Sequence, residues 1–164
     1  MDTGDIKAKL LKEKLMTTMS KKRLTLLADI IDTKKPCSLR LIEWFVSSYS
    51  QNYKVIYNLN GTPFDVYSSY KGEQMTSYNK RLFDMYRRME KFTIKLEGKR
   101  TFETTVAQLN FFNWVFQNKI LEYVLDHQDS IKRDLDSAKP KKKTKKKFYD
   151  NVSISRINIT INFD

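Results

Sequence analysis

The stretch from Thr105 to about His127 places the strongest constraint on the fold. Thr105 is followed by Gln108, which matches a capping box: the threonine hydroxyl accepts from the third helical N–H, and the glutamine side chain reaches back. Apolar side chains then recur at helical spacing, at Leu109, Phe112, Phe116, Ile120 and Val124. The pattern predicts one long helix from Val106 to about His127, apolar on more than one side.

Two further helical regions precede this helix. From Ile6 to Ile31, apolar residues recur at helical spacing among lysines, and residues 17–20 contain small polar side chains that can divide the region into two helices. Pro36 forbids helix at its junction with Lys35. Ser38 then suits the N-cap of another helix at about residues 38 to 50.

Alternating patterns and glycine turns predict β-structure in three places. Residues 53–59 and 64–67 are joined by an Asn-Gly turn and form a first hairpin. Residues 92–96 alternate apolar and polar side chains, and Gly98 turns the chain into residues 100–104. Near the C-terminus four apolar residues alternate with polar ones and predict a final strand: Ile157, Ile159, Ile161 and Phe163. Residues 71–89 show only loose helical spacing.

These elements together predict an α+β fold. We expect N-terminal helices, and two β-hairpins and a C-terminal strand that form a small antiparallel sheet packed on the long central helix. The expected organisation is an N-terminal helical segment at residues 1–35, an α+β core at 36–136, a basic linker at 137–149 and a strand at 150–164 that returns to the core sheet.

The charge of the chain predicts an acidic partner. Its formal net charge is +12, and subtracting the seven lysines of the basic linker leaves +5 for the remainder. These lysines are predicted to bind a polyanion by counterion release, with a nuclear-localisation signal or a merely solvating run as alternatives. They are Lys139, Lys141, Lys142, Lys143, Lys145, Lys146 and Lys147. Lysine offers point charges, so these contacts should be sequence-independent.

The inventory of catalytic side chains is thin. The chain has one histidine, one cysteine and four glycines, and it contains no glycine-rich phosphate loop and no metal-ligand spacing. We therefore expect no enzyme activity, no cofactor, no metal and no small-molecule substrate. The sequence also contains no apolar run of the length needed to span a membrane, so no membrane span is expected. Cys37 lies ahead of a helix and can have a lowered thiol pKa, although a buried apolar role is commoner. His127 is expected to be structural, near a helix end.

Two groups of side chains outside the linker are candidates for binding. Arg81, Arg87 and Arg88 join the linker lysines as predicted polyanion-binding residues. Nearby tyrosines at positions 67, 70 and 78 either stack on unpaired bases or pack within the fold. On the long helix, aromatic side chains on more than one side predict core packing or a contact with another protein, with stacking on unpaired bases as the alternative. The residues assigned to that interface are Phe111, Trp114 and Val115.

Three blocks of the sequence resemble a known group of proteins. They are residues 37–46 (CSLRLIEWFV), the tyrosine-rich residues 64–88 and residues 104–114 (TTVAQLNFFNW), followed by the basic linker and a final strand that ends in Phe-Asp. In these blocks the chain is similar to small uncharacterised proteins encoded by large nucleocytoplasmic DNA viruses. The resemblance covers most of residues 37–164 and implies a viral origin, with a place in the particle or its core.

Three functions are compatible with these features. The first is a non-enzymatic structural component of a large DNA virus particle, a minor capsid or core protein that contacts other virion proteins or the packaged genome. Its location would be the virion, and the host cytoplasm or nucleus during infection. The second is a sequence-independent nucleic-acid-binding regulatory factor of such a virus. The third is an adaptor for a single protein partner.

Overall fold

The computed structural model of the chain describes residues 3–76 and 80–138. The helices are α1 (Thr3–Thr18), α2 (Lys21–Thr33), α3 (Leu39–Trp44), α4 (Ser50–Asn52), α5 (Val66–Thr76), α6 (Val106–Gln117), α7 (Ile120–Asp126) and α8 (Gln128–Ala138). A π-helical segment (Phe45–Tyr49) joins α3 to α4, and a 3₁₀ turn (Lys80–Leu82) follows α5. The strands are β1 (Ile56–Leu59), β2 (Thr62–Asp65), β3 (Phe92–Lys95) and β4 (Thr101–Thr104). The predicted α+β class is confirmed.

The chain divides into two compact units, Met1–Lys132 and Arg133–Asp164. The first unit contains α1 to α7, the four strands and the beginning of α8. Within the described residues, no helix is both long and apolar enough to cross a bilayer. The predicted C-terminal strand at 150–164 and residues 139–149 of the basic linker lie outside the described residues, whereas residues 137 and 138 belong to the end of α8.

Helix α6 forms the centre of the first unit. Nine of its twelve residues are buried, and α1, α7 and the 3₁₀ turn pack against it. The predicted N-cap is confirmed, because the Thr105 hydroxyl accepts a hydrogen bond from the Gln108 backbone N–H at 3.1 Å. The other half of the capping box is wrong. The Gln108 side chain accepts from the Thr104 hydroxyl at 2.6 Å instead of reaching back to Thr105.

The predicted single long helix from Val106 to His127 is also wrong, because the chain breaks between α6 and α7. Lys119 has the left-handed φ of 55°. The Asn118 side chain donates to the Trp114 carbonyl at 2.9 Å, and the Asn118 backbone N–H donates to the same carbonyl at 3.2 Å, so both groups of this residue bond the last turn of α6. The Asn118 carbonyl in turn accepts from the Tyr57 hydroxyl at 2.5 Å. Side-chain bonds of asparagine therefore compete with the helix at this point.

The N-terminal helices begin where the sequence indicates. The Ser20 hydroxyl accepts from the Arg23 N–H at 3.2 Å and starts α2, which confirms the division of the first region into two helices. The Ser38 hydroxyl accepts from the Leu41 N–H at 3.2 Å and starts α3. Helix α1 turns its apolar side to α6 through Leu11 and Leu15, both buried.

The two hairpins form separate two-stranded sheets, which corrects the prediction of one shared sheet. β1 pairs antiparallel with β2, and β3 pairs antiparallel with β4. Each second strand passes almost directly into a helix, α5 after β2 and α6 after β4, so each hairpin is tied to its own helix. In the second hairpin Ile94 and Phe102 face the core, whereas in the first hairpin Ile56 stays 55% exposed. Pro63 lacks an N–H with which to extend the first sheet.

Cys37 is a buried packing residue. Its side chain is 3% exposed, and burial raises the pKa of the Cys37 thiol to about 11. A thiolate is the reactive form of cysteine, so this environment disfavours it near neutral pH. The alternative of a lowered thiol pKa is therefore wrong.

The cap of α6 gives a direct test of this fold. Replacing Thr105 with alanine removes the hydroxyl that accepts from the Gln108 N–H, so the free energy of unfolding should fall by about 1 kcal/mol. Urea unfolding followed by circular dichroism measures the change. Thr105→Ser keeps the acceptor and is the matched control. Equal stability of the alanine and serine variants would contradict the capping role.

Candidate functional site

A basic pocket lies between α1 and the segment that leads into β3. Its volume is about 600 Å³. We call residues 81–91 the arginine segment and define the basic pocket by its lining, which is of three kinds. The cations are Lys9, Lys12, Arg81, Arg87 and Arg88; the apolar side chains are Ala8, Met89, Phe92 and Val106; the one carboxylate is Glu90.

Helix α1 supplies the lysines of the basic pocket. Lys9 and Lys12 are three residues apart and therefore lie on the same side of the helix. The Lys12 ammonium lies 4.0 Å from the centroid of the Phe92 ring, within the range of a cation–π contact. This contact holds a positive charge beside the apolar part of the pocket.

The arginine segment is held in place by burial and by two local hydrogen bonds. Leu82, Phe83 and Met85 are buried. The Asp84 carboxylate accepts from the Tyr86 N–H at 3.0 Å, and the Asp84 carbonyl accepts from the Arg87 N–H at the same distance. The loose helix predicted for residues 71–89 is therefore found only in part, as the end of α5 and the 3₁₀ turn, and the tight turn that follows leaves Arg87 and Arg88 exposed at the pocket.

A buried amide links the arginine segment to the central helix. The Asn110 side chain of α6 donates to the Leu82 carbonyl at 2.7 Å. An unpaired carbonyl buried at this point would be costly, so the bond fixes the chain just before the arginines. The position of the pocket therefore depends on α6, on which α1 also packs.

The charges around the basic pocket are poorly neutralised within the described part of the chain. Its cations face a single carboxylate, Glu90. Within the described residues, no ion pair shorter than 4.0 Å involves Lys9, Arg87, Arg88 or Glu90. Arg100, by contrast, lies 2.7 Å from Asp29 and 3.5 Å from Asp32. Several like charges around one pocket are an arrangement that an anionic ligand relieves.

The structure brings together part of the predicted polyanion site. Arg81, Arg87 and Arg88 all line the basic pocket. The seven lysines from Lys139 to Lys147 lie outside the described residues. Lys9 and Lys12 were not among the predicted site residues, although their spacing on a lysine-rich helix could have indicated a basic stripe.

The residues assigned to a protein interface have a different role in this structure. Phe111, Trp114 and Val115 are 1%, 5% and 0% exposed. The Phe83 ring lies 5.4 Å from the rings of both Phe111 and Trp114, and the Trp114 indole N–H donates to the Ser69 hydroxyl at 3.0 Å. The second apolar side of α6 is covered by the chain itself, because the arginine segment and α5 pack on it. These contacts show that the three side chains pack in the core of the chain.

The tyrosines and the histidine outside the pocket also pack within the fold. The Tyr70 ring lies 6.0 Å from the rings of Phe83 and Trp114, and burial, followed by the nearby carboxylates Glu43 and Asp84, raises the pKa of Tyr70 to about 12. The His127 ring stacks on Tyr123 with a centroid distance of 4.0 Å. Tyr78 lies outside the described residues.

Comparison with known proteins gives a family and a viral relative. Residues 2–162 match the model of the Family of unknown function (DUF7197). The chain is 36% identical over 152 residues to "Uncharacterized protein L507" of Acanthamoeba polyphaga mimivirus.

The match to the mimivirus protein covers 87% of this chain and 58% of the relative, so the chain spans less than two thirds of the relative's length. No solved structure matches. The relationship to the mimivirus protein supports a viral origin and confirms the resemblance to proteins of large nucleocytoplasmic DNA viruses. The chain belongs to the Family of unknown function (DUF7197).

Proposed function

We propose that this chain is a non-enzymatic component of a large DNA virus particle, a minor capsid or core protein that binds the packaged genome through the basic pocket and the lysine-rich linker. The observation that carries the proposal is the meeting of lysines from α1 with arginines from residues 81–88 around one pocket. Acidic surfaces of neighbouring virion proteins are secondary partners of the same charges.

The chemistry of the pocket suits phosphate groups. The guanidinium groups of Arg87 and Arg88 can each donate two parallel hydrogen bonds to phosphate oxygens, whereas Lys9 and Lys12 add point charges. Binding of these cations to a nucleic acid releases condensed counterions, which favours association at low salt. Contacts to phosphate carry little sequence information, so the bulk of the affinity should be independent of sequence.

A non-catalytic role is supported by the state of the two side chains best suited to nucleophilic or acid–base chemistry. Cys37 is buried with a raised thiol pKa. The His127 ring is stacked on Tyr123, and its Nδ1 lies 3.0 Å from the Tyr123 carbonyl. Neither side chain lines the basic pocket.

The pocket charges can be tested by neutralisation. Changing Lys9, Lys12, Arg87 and Arg88 together to glutamine should weaken binding to a duplex of arbitrary sequence. The magnitude of the slope of log K against log salt should fall by up to about 3.6, because each of the four lost phosphate contacts removes about 0.9. Fluorescence anisotropy titrations at several salt concentrations measure the slope.

The matched control removes the same number of charges elsewhere. Lys22, Lys95, Lys99 and Lys132 are exposed and lie outside the pocket lining, so their change to glutamine lowers the net charge equally. The control should keep most of the slope. Equal losses in both variants would mean that net charge, and not this pocket, binds the polyanion.

The basic linker is tested separately. Changing its seven lysines to glutamine in the otherwise unaltered chain should remove most of the salt dependence of binding. Each lysine can neutralise one phosphate and so contributes to the slope of log K against log salt. The same titrations apply. If this variant binds with an unchanged slope, the assignment of the linker to polyanion contact is wrong.

The place of the chain in the particle is tested on purified virions. Mass spectrometry of gradient-purified particles of the encoding virus should detect the chain, and it should stay with the core or capsid fraction after mild detergent extraction. Its absence from particles, together with DNA binding by the purified chain, would favour the regulatory factor over the structural component.

A further inference from the structure

Two features of the basic pocket are not accounted for by phosphate binding alone. The first is Glu90, a carboxylate on a rim that otherwise carries cations. It would repel a phosphate placed nearby. The second is the apolar part of the lining, which we call the apolar floor: Ala8, Met89, Phe92 and Val106. These side chains have no hydrogen-bond donor or positive charge for a phosphate. A ligand that explains both must have an apolar part and a hydrogen-bond donor as well as negative charge.

We infer that the basic pocket takes one unpaired base of a single-stranded nucleic acid, with the base on the apolar floor, its amino group donating to Glu90 and the flanking phosphates on the cationic rim. The inference rests on the proposed polyanion binding and specifies its ligand. It predicts that the chain prefers single strands to duplexes and some bases to others, whereas the phosphate contacts alone are independent of sequence.

The size of the pocket suits a single nucleotide. Its volume of about 600 Å³ lies within the range of about 300 to 1,000 Å³ that is typical of small-molecule sites. The bases of a duplex are paired and stacked inside the helix, so a duplex can reach only the rim. An unpaired base can leave the strand and enter, as in most sequence-reading contacts to single strands.

The floor offers contact area for the face of a base. Val106 is buried, and the side chains of Ala8, Met89 and Phe92 are partly exposed. The Lys12 ammonium lies over the Phe92 ring, 4.0 Å from its centroid, so it occupies one face of that ring and leaves the rest of the floor for the base. A base seated there would bring its own phosphate next to Lys12, and the arginine guanidinium groups could stack on its free face.

Glu90 selects among bases. Its ionised carboxylate only accepts hydrogen bonds, and the amino group of cytosine, adenine or guanine is a donor that matches it. Thymine has no amino group, and its one ring N–H lies between two carbonyl oxygens that would repel the carboxylate. The pocket should therefore prefer cytosine to thymine, two bases of the same size.

The direct test compares three ligands built from strands of equal length, so the duplex carries about twice as many phosphates as either single strand. Fluorescence anisotropy at moderate salt and near-neutral pH is measured for the full chain with oligo(dC), oligo(dT) and a mixed-sequence duplex. Strands of about 12 nucleotides span a typical single-strand site. Oligo(dC) should bind at least about fivefold more tightly than oligo(dT), since a matched base contact gives at least this discrimination. Both strands should bind more tightly than the duplex.

Two variants separate the base contact from the charge. Glu90→Gln should reduce the ratio of oligo(dC) to oligo(dT) affinity to about one, because the amide both donates and accepts. Glu103→Gln, at an exposed position on β4 outside the pocket, makes the same charge change and should keep the ratio.

Ala8→Trp fills the floor and should lower the ratio of single-strand to duplex affinity. Ala8→Leu, a smaller change at a helical position, replaces it if thermal unfolding shows that the tryptophan variant does not fold.

The outcomes distinguish the inference from the function on which it rests. Equal affinities for oligo(dC), oligo(dT) and duplex, with Glu90→Gln strengthening all three alike, would overturn the unpaired-base site and leave polyanion binding intact. Binding that is insensitive to the Lys9, Lys12, Arg87 and Arg88 changes would overturn both. A cytosine preference that is lost in Glu90→Gln and kept in Glu103→Gln supports the inference.

Discussion

Burial of α6 positions α1 and the arginine segment, the two parts of the chain that form the basic pocket. Nine residues of this helix are buried, and its large aromatic side chains each gain about 2 to 3 kcal/mol when they leave water. Such a helix is stable only when the chain covers it on several sides. α1 covers one side and the arginine segment another. Lysines and arginines about 70 residues apart in sequence therefore meet because their elements cover the same helix.

The meeting of these charges does not stabilise the free protein. Lys9 and Lys12 repel each other across one helical turn, and Arg87 and Arg88 add like charge opposite them. Neutral side chains at these positions would avoid that repulsion, and the packing of α6 has to offset it. This cluster of cations, which has Glu90 as the one carboxylate in the pocket lining, suits the anionic ligand proposed above.

Local chemistry was predictable from the sequence, whereas competition between distant groups was not. The hydroxyls of Ser20, Ser38 and Thr105 cap helices as expected, since a cap needs only residues three positions apart. The break after α6 was missed because it depends on Tyr57, which bonds the Asn118 carbonyl from 61 residues away. The single predicted sheet failed for a related reason: alternation shows that a strand exists but not which strand pairs with it.

The candidate site was likewise predictable from the sequence only in part. Composition predicted a positive surface and the arginines, but it ranked the linker lysines first because they are adjacent in sequence. Only the packing of α1 shows that Lys9 and Lys12 line the same pocket as Arg87 and Arg88. A ligand that bridges these two sides binds only the folded arrangement, so its binding free energy adds to the stability of α1 docking. Occupation of the pocket and attachment of the N-terminal helix are thus thermodynamically linked.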